Sequence, residues 1–553
     1  MQPDTIDFTF IDDGRFKRYL ADRPYIKIGT EFVARKFVVA YTKPQYMDGI
    51  FTELGEDYLT IFPQLLSPLS IPTNSAAGIT QAQRQPYLNL TGRGVLMGFV
   101  DTGIDYTQRT FRYEDGTSKI KYIWDQTIAS SPPENIRFGS VYSQELINEA
   151  LRSEDPSKIV PSMDNDGHGT FLASVAAGRE SNEFIGAAPD SEIIAVKLKQ
   201  ASPHHLRRFN FAEGTTLYSS ADFMLGIKFV LDMAGRLNMP VVICIGMGTN
   251  FCGHDGNTML EEYISSITSL VGIVCVAGAG NESSARRHTM GQISQTGNTA
   301  TISINVESNV ESFPFYISNQ SFDKISVEVI SPIGETTSRL PVNYGYVYSK
   351  KLILEPSTVT VRYFKDKSNV IIIDIAKPTQ GLWNVVLHGD TILSGRYHAW
   401  LPLSSIIRAN IEFLRPSPDY TIVIPATALR VITCGAYDHV RNSLFVSSSW
   451  GPTKGYRMAP DFVAPGVNVQ GVYPTGYGTM TGTSVAAAVT AGACALLLQW
   501  GIIRGKEPAM TLDRVKSLLI SGCIRQENIT YPNTQWGFGM LNLFNVFEFL
   551  RET

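Results

Sequence analysis

Cysteine is scarce in this sequence of 553 residues, which contains six cysteines and no CxxC pair. The six are widely spaced and stand mostly within apolar runs, which predicts buried free thiols in a reducing compartment rather than a disulfide framework or a zinc site. They are Cys244, Cys252, Cys275, Cys434, Cys494 and Cys523.

Excess charge is absent as well. The 47 Lys and Arg against 51 Asp and Glu give a net charge of -4, so no overall field predicts binding to nucleic acid or to an anionic membrane. No uninterrupted apolar run reaches about 18 residues, so we predict no membrane partner. The first twenty residues carry acids and lack the basic-then-apolar pattern of a secretion signal. These absences favour a cytoplasmic protein.

What the sequence does contain is a succession of apolar runs separated by helical patterns. The runs are too continuous for strands with one solvated face, so they predict a doubly wound α/β fold, a parallel sheet covered on both faces. They are VLMGFV (95–100), EIIAVKL (192–198), VVICIG (241–246) and IVCVAGA (273–279).

The pattern changes between residues 301 and 428. Short alternating runs such as KISVEVI (324–330) and NVIIIDI (369–375) follow one another with turn signals between them and little helical pattern. This predicts an antiparallel β-sandwich inserted into the α/β domain, which then resumes over residues 429–553.

Polar residues stand where these buried elements begin or end. Asp101 opens DTGID directly after the run at 95–100, at the sheet edge where ligands and catalytic groups collect, although an Asp before Gly also suits a turn or helix cap. His168 lies between two glycines at the start of a helix of small residues. A lone histidine is more often structural, but here close backbone approach favours a presented imidazole.

Two further residues complete the set. Ser484 begins a helix made almost entirely of Val and Ala, whose N-terminus would face a site that favours negative charge, while a plain N-cap is the alternative. Asn281 follows the apolar run at 273–279, where its amide could donate, and an ordinary left-handed turn is the alternative. Nucleophilic catalysis by serine needs these four roles: nucleophile, base, orienting acid and oxyanion donor.

The motifs DTGID, GHGT and GTS, in this order and with the strand-end Asn between the last two, resemble the subtilisin-type serine proteases. The resemblance covers about residues 85–300 and 429–553. It implies Asp101 as orienting acid, His168 as general base, Ser484 as nucleophile and Asn281 as oxyanion donor. A protein substrate would bind as an added strand.

The resemblance also implies where a substrate would bind. Its backbone would pair with Gly246, Met247 and Gly248, where the family usually has Ser-Leu-Gly, so the shape of the pocket departs from the family pattern. The wall or floor of the pocket before the scissile bond would come from Ala277, Gly278 and Ala279 and continue to Gly280.

The inserted strands resemble those of the Csp-type germination proteases of spore-forming clostridia. In that group the insert is a jelly roll, and the protease activates a spore-cortex hydrolase by clipping its pro-segment. Residues 1–75 would then be a small α+β pro-segment able to occupy the cleft, with cleavage expected in the polar, exposed stretch from Ser67 to Gln83. The catalytic domain would occupy 76–300 and 429–553. Such a protein could also be packaged in a spore.

No cofactor is predicted. The family often binds calcium, and Asp164, Asn165 and Asp166 offer oxygen ligands, but they also suit a tight turn before His168, so calcium stays unassigned. His388 and His398 lack a further ligand at metal spacing. Trp383 and Trp400 are predicted as core aromatics rather than a sugar platform. The oligomeric state is not predicted.

Two alternatives to an active protease remain. The same fold could serve as a pseudoprotease, a binding or signalling module, which loss of a triad residue would favour, and here none is lost. A carbohydrate-binding protein built on the sandwich would leave the catalytic set unexplained.

Overall fold

The computed structural model describes residues 6–11, 23–25, 27–31, 37–46, 73–129, 138–179, 184–201, 206, 216–251, 253–307, 310–344, 346–365, 368–407 and 411–552. The chain divides into two compact units, Met1–Ser70 and Ile71–Thr553. The described part of the first unit forms a three-stranded antiparallel sheet in the order β1-β3-β2. Its strands are β1 (Ile6–Ile11), β2 (Lys27–Glu31) and β3 (Phe37–Thr42), followed by a 3₁₀ turn, Pro44–Tyr46.

The second unit begins with alternating strands and helices, as the apolar runs predict. The strands are β4 (Leu96–Asp101), β5 (Ile120–Asp125), β6 (Ser140–Ser143), β7 (Glu192–Lys197), β8 (Val241–Ile245) and β9 (Ile273–Gly278). The helices are α1 (Thr73–Ala76), α2 (Ile79–Arg84), α3 (Gln144–Arg152), α4 (His168–Ala177), α5 (Ser220–Leu237) and α6 (Met259–Ile267), with 3₁₀ turns at Arg109–Phe111 and Pro156–Lys158.

An all-strand segment follows. Its strands are β10 (His288–Gln292), β11 (Thr299–Val306), β12 (Ser312–Gln320), β13 (Lys324–Ile330), β14 (Val347–Lys351), β15 (Thr358–Lys365), β16 (Ser368–Ala376), β17 (Gly381–Thr391), β18 (Arg396–Trp400) and β19 (Ile411–Phe413).

The strand–helix pattern then returns. Its elements are β20 (Ile432–Asp438), β21 (Ser443–Leu444), β22 (Phe462–Pro465), β23 (Val469–Tyr473), β24 (Gly476–Met480), α7 (Thr483–Leu498), a π-helical turn Gln499–Ile503, α8 (Leu512–Ser521) and α9 (Leu543–Glu552).

The main sheet has nine strands in the order β21-β20-β9-β8-β4-β7-β5-β6, with β22 also paired to β20. Its strands run parallel except β6 and β21, which pair antiparallel at the edges. Residues of α4, α7, α8 and α9 share one core with one face of the sheet, and residues of α5 and α6 share another core with the other face. The predicted doubly wound α/β fold is confirmed.

Helix α7 runs through the first of these cores. Every residue from Val485 to Leu498 is buried, because the helix carries Ala, Val, Leu and small polar side chains on all sides. Among the described residues, the segment Thr483–Ile503 is long and apolar enough to cross a membrane, but 83% of its apolar window is buried within the protein. That burial is typical of a core helix.

The inserted strands form two antiparallel sheets around one shared core. The six-stranded sheet has the order β10-β18-β12-β16-β15-β14, and the four-stranded sheet has the order β13-β17-β11-β19. The antiparallel strands begin at His288 and end at Phe413, so the insert starts earlier than the predicted residue 301. Trp383 lies in the shared core, fully buried, as predicted.

The stretch predicted as an exposed cleavage region is different in structure where it is described. Residues 73–84 form α1 and α2, and Asn74, Ile79 and Ala82 are buried. The apolar side chains at 79 and 82 share one helix face, which packs against α9, so this part is not a free polar linker. Residues 67–72, the rest of the stretch, lie outside the described residues.

The cysteines that the structure describes are buried free thiols, as predicted. Cys252 lies outside the described residues.

Candidate active site

Two of the predicted catalytic side chains meet directly. Asp101 is the last residue of β4 and is 3% exposed, and His168 is the first residue of α4. His168 Nδ1 lies 2.7 Å from Asp101 Oδ1, and the same oxygen accepts the Thr102 backbone N–H at 2.8 Å. The carboxylate is therefore fixed by its own turn, and it orients the imidazole with Nε2 directed away from it.

A second carboxylate fixes the start of α4. Asp164 Oδ1 accepts the Gly167 N–H at 2.9 Å, and Oδ2 accepts the N–H and hydroxyl of Thr170 at 2.9 and 2.6 Å. Thr102 Oγ1 accepts the Gly169 N–H at 2.9 Å. The free N–H groups of the first helical turn are thus satisfied on both sides of His168, which holds the ring in place.

The electrostatics around His168 favour its protonated form. Burial disfavours the charged imidazolium, but the charge and hydrogen bond of Asp101, with smaller contributions from Asp166 and Asp164, outweigh it and raise the pKa of His168 above 6.5. A base with a raised pKa accepts a proton more readily from a hydroxyl.

Ser484 is the second residue of α7 and is half-buried. Gly482, two residues before Ser484, has φ 157°, and a side chain there would begin 3.3 Å from Asn281 Nδ2 and 3.6 Å from Ser484 Oγ. Glycine suits this position because side chains rarely adopt its φ, and the space beside it is bounded by both polar groups. The backbone N–H of Ser484 belongs to the first turn of α7 and has no acceptor among the described residues.

Asn281 lies three residues beyond β9, and its side chain is tied to the start of α7. Asn281 Oδ1 accepts the Thr483 N–H at 3.0 Å, and Thr483 Oγ1 accepts the Gly280 N–H at 3.0 Å. Since the oxygen of the amide is occupied by Thr483, Nδ2 is left to donate into the space beside Ser484. The role of Asn281 as oxyanion donor stays a prediction.

Two glycines at neighbouring strand ends allow His168 and Ser484 to pack close to the sheet. Ile245 of β8 is in register with Ala277 of β9, so Gly246 and Gly278 follow on adjacent strands, about 4.8 Å apart. A side chain on Gly246 would begin 2.9 Å from His168 Cε1, and one on Gly278 would begin 3.0 Å from Ser484 N.

His168 and Ser484 therefore pack against adjacent strand ends. No hydrogen bond joins the described His168 ring to the Ser484 hydroxyl, and such bonds commonly tighten only around substrate.

The predicted substrate-binding residues divide into two groups. Met247, Gly248 and Gly278 are half-buried or exposed, and Gly246 packs against the imidazole. Ala277 and Ala279 are 1% and 0% exposed, with side chains in the core of the second helix layer. The two alanines thus present no side-chain surface to a ligand.

A residue that the sequence did not single out closes the space between these segments. Val423 lies so close that side chains on Gly248 and Gly280 would begin 2.6 and 2.5 Å from its two different methyl groups. Its N–H donates to Ala279 O at 2.9 Å, and Ile424 pairs with Thr249 through both backbone groups. Val423 comes from far along the chain, so only the folded structure could reveal it.

The part of the chain that the structure describes contains no cluster of three or more His, Cys, Asp or Glu side chains that could hold a metal ion. Asp164, one of the oxygen ligands that the sequence offers, accepts backbone N–H groups of the helix start, and calcium stays unassigned. His388 lies 3.3 Å from Glu328, and His398 pairs with His288.

A carboxylate, an imidazole and a serine at strand ends and helix starts, with an amide donor beside the serine, define the serine-hydrolase class of site. The family model for Peptidase S8, the subtilase family, matches residues 92–362 and 410–539, which contain all of the predicted catalytic residues. The chain belongs to the subtilase family.

Known relatives agree with this assignment. The solved structure of the Clostridium perfringens CspB protease is 32% identical, with a TM-score of 0.76, and covers 87% of this chain and 97% of its own. Serine protease AprX of Bacillus subtilis is 33% identical over 150 residues, 23% of this chain and 32% of its own. C5a peptidase of Streptococcus pyogenes serotype M18 is 21% identical over 470 residues, 78% of this chain and 38% of its own. The chain spans about a third of the length of these two curated relatives.

Proposed function

We propose that this protein hydrolyses peptide bonds in protein substrates through an acyl-enzyme on Ser484. The observation that carries the proposal is the 2.7 Å pair between His168 Nδ1 and Asp101 Oδ1, placed where the His168 ring and Ser484 pack on adjacent strand ends. Family membership supports the same class of reaction.

From this pairing we assign a role to each residue. With Nδ1–H donated to Asp101, the lone pair of His168 Nε2 accepts the Ser484 hydroxyl proton as Oγ bonds to the substrate carbonyl carbon. Asn281 Nδ2 and the Ser484 N–H donate to the oxyanion of the tetrahedral intermediate. His168 then gives its proton to the leaving amine as the C–N bond breaks, and water releases the acid by the same steps. These steps use side chains and backbone groups, and we propose no cofactor for them.

The test is covalent labelling. The full chain and its Ser484→Ala variant are treated with a fluorophosphonate, and intact masses are measured. We expect one probe mass on the unmodified protein and none on the variant. A protein that stays unlabelled, even after its N-terminal segment is removed, would favour a binding module with the same fold instead.

We further propose that the substrate is the pro-form of a spore-cortex hydrolase, within a cytoplasmic or spore compartment. The support is the likeness to the CspB protease over most of both chains, together with the inserted sandwich. Incubation of the purified pro-form with the protein and with Ser484→Ala should give a single clip by the former only. An uncut pro-form beside an actively labelled Ser484 would reject this substrate and leave the peptidase proposal intact.

The N-terminal unit is proposed as a pro-segment that occupies the cleft until it is cleaved. The same intact masses test this idea, because self-cleavage would remove the unit from the unmodified protein and leave it on Ser484→Ala. Equal N-terminal masses in both proteins would contradict it.

A further inference from the structure

A cavity of about 280 Å³ lies where the inserted sandwich meets the second catalytic segment. Its walls come from β10, β12 and β18, from Tyr420, and from the loop after residue 450. We call it the junction cavity. Its polar and aromatic lining includes Gln292, Arg396, His398, Tyr420, Lys454 and Tyr456.

The sheet offers a polar face to this cavity. Along β12 and β18, Ile317 and Ala399 point into the sandwich core, so the alternate residues Ser318 and His398 lie on the opposite face of the six-stranded sheet. Lys454 reaches that face from the catalytic segment. The cavity is thus built by both parts of the second unit.

Lys454 is buried, and it forms no ion pair with a carboxylate among the described residues. It is 9% exposed, and its ammonium group donates to Ser318 Oγ and, at 3.1 Å, to Ser368 Oγ. The carboxylate in this network is Asp255, which accepts from the Ser368 hydroxyl at 2.8 Å. Two of the three ammonium donors are thus engaged by neutral hydroxyls, which leaves one donor. Burial lowers the pKa of Lys454 to about 8, so it stays mostly protonated at neutral pH.

Arg396 adds a second cation to the same cavity. Its side chain is exposed, and it forms no ion pair with the described residues. Burial, followed by the positive charges of Lys454, His254 and Arg396, lowers the pKa of His398 to about 3, so both cations act on this ring. Among the described residues that line the cavity, none is acidic.

Two tyrosines at the cavity have strained backbones. Tyr420 has φ 58° and Tyr456 has φ 61°, in the left-handed region that bulky residues rarely adopt. Strain of this kind costs about 1–3 kcal/mol per residue and clusters at sites that bind ligands. Tyr456 is 69% exposed beside the cavity, so it can offer its ring to a ligand.

We infer that the junction cavity binds a small organic carboxylate with an apolar or aromatic body, held by the guanidinium of Arg396 and the ammonium of Lys454. Arg396 supplies the planar pair of donors that suits a carboxylate, and Lys454 supplies a point charge. The tyrosine rings would contact the body of the ligand. The cavity is near the lower end of the range of small-molecule sites, about 300–1,000 Å³, so it suits a compact molecule.

The test is isothermal titration of the full chain at neutral pH with two carboxylates, benzoate and glutarate. We expect at least one of them to bind at a single site, and the neutral match of benzoate, benzamide, to bind at least tenfold more weakly. Arg396→Gln should weaken carboxylate binding roughly tenfold, since it removes charged hydrogen bonds without breaking an ion pair in the fold. Lys350→Gln is the control: it removes an exposed positive charge from β14 of the same sheet and should leave carboxylate binding unchanged.

Three results would overturn the inference. The first is that neither carboxylate binds. The second is equal binding by the Arg396→Gln and Lys350→Gln variants, which would place the site elsewhere. The third is that inorganic phosphate binds more tightly than both carboxylates, which would make the cavity a phosphate site.

Discussion

At the scale of single residues, the geometry of the site depends on the hydrogen bonds that its polar atoms already make within the protein. Asp101 Oδ1 is held by the Thr102 N–H, so the carboxylate cannot turn away from His168. Asn281 Oδ1 is held by the Thr483 N–H, so the amide presents its donor. Because these hydrogen bonds form before the reaction, the carboxylate and the amide need little reorganisation when charge develops on the imidazole and the substrate oxygen.

The first prediction concerns pH. His168 must be neutral to act as a base, and its pKa is raised above 6.5 despite burial, so kcat/KM should rise with pH through a midpoint above 6.5. Asp166 is exposed and is one of the charges that raise this pKa. Asp166→Asn should therefore move the midpoint to lower pH, measured from kcat/KM on a peptide substrate between pH 5 and pH 9, a range of about two units either side of neutrality.

The matched control is Glu149→Gln, which removes an exposed negative charge from α3. We expect no movement of the midpoint in this variant. An unmoved midpoint in Asp166→Asn would show that His168 is not the group that sets the acid side of the profile.

At the scale of elements, α4 is an apolar helix whose first turn is fixed by polar contacts. Asp164→Asn would replace one of the two oxygens that accept from Gly167 and Thr170. We expect the free energy of unfolding to fall by about 1–3 kcal/mol, and kcat to fall while KM changes little, because the helix start that carries His168 loosens.

Asp155→Asn is the control for this change, because Asp155 makes the same kind of contact to Ser157 in an exposed turn away from the site. It should leave kcat unchanged. A loss of stability in Asp164→Asn without any change in kcat would contradict a positioning role. Fluorescence-monitored urea unfolding and initial rates supply the two readouts.

Val423 leads to a prediction about substrate choice that rests on the proposed peptidase function. Its two methyl groups fill the space between Gly248 and Gly280, so we expect a small residue before the scissile bond. Val423→Gly should raise the ratio of kcat/KM for Phe over Ala at that position by about 10- to 200-fold, as the pocket deepens.

Val446→Gly is the control, because Val446 is 73% exposed and should not alter the ratio. An unmodified protein that already cleaves after Phe as readily as after Ala would refute the role of Val423. Loss of all cleavage in Val423→Gly would instead indicate damage to the catalytic triad.

Many of the strands and helices can be predicted from the sequence, because local patterns of apolar and polar residues determine them. Residues 324–330 alternate strictly enough to predict β13 residue for residue, and the apolar run at 241–246 predicts β8 within one residue. Asp101 is predicted because it follows such an apolar run, and His168 is predicted because it begins a helix of small residues. The helical part of 73–83 was missed, because its burial depends on α9, at the other end of the chain.

Asp164 and Val423 show why the remainder of the site was not predicted. The Asp-Asn-Asp segment suits a cation loop as well as a turn, and only the folded helix start shows which backbone groups its oxygens accept from. Val423 has no motif around it. Its role arises from contacts with residues far apart in the sequence, which periodicity cannot register.

At the scale of the whole molecule, buried histidines join the sandwich to the catalytic core. The ring of His254 stacks on Trp400 at 4.3 Å and 8°, and its Nδ1 lies 2.7 Å from Ile422 O. His288 and His398 stack beside Trp400 and pair at 3.2 Å. Trp400 is fully buried, as predicted, but at this junction rather than in the sandwich core.

This junction predicts acid sensitivity. Burial lowers the pKa of His254 to about 4, with Asp255 opposing and Lys454 adding to the shift, while the pKa of His398 is lowered to about 3 and that of His288 is also lowered. A histidine whose folded pKa is below its unfolded value of 6.5 contributes stability that is present above pH 6.5 and is lost as pH falls toward the folded pKa.

We therefore expect the midpoint of thermal unfolding to fall steeply between pH 6.5 and pH 4, with His254 alone contributing about 3 kcal/mol to that loss. His254→Phe keeps a ring on Trp400 but cannot gain a proton, so it should flatten the fall while lowering the midpoint at neutral pH through the lost bond to Ile422 O. Phe251→Leu, which removes a ring contact with Tyr316 at the same junction, should lower the midpoint equally at every pH. If His254→Phe and Phe251→Leu have the same slope, the acid sensitivity does not come from His254, because only the former removes a proton-binding group.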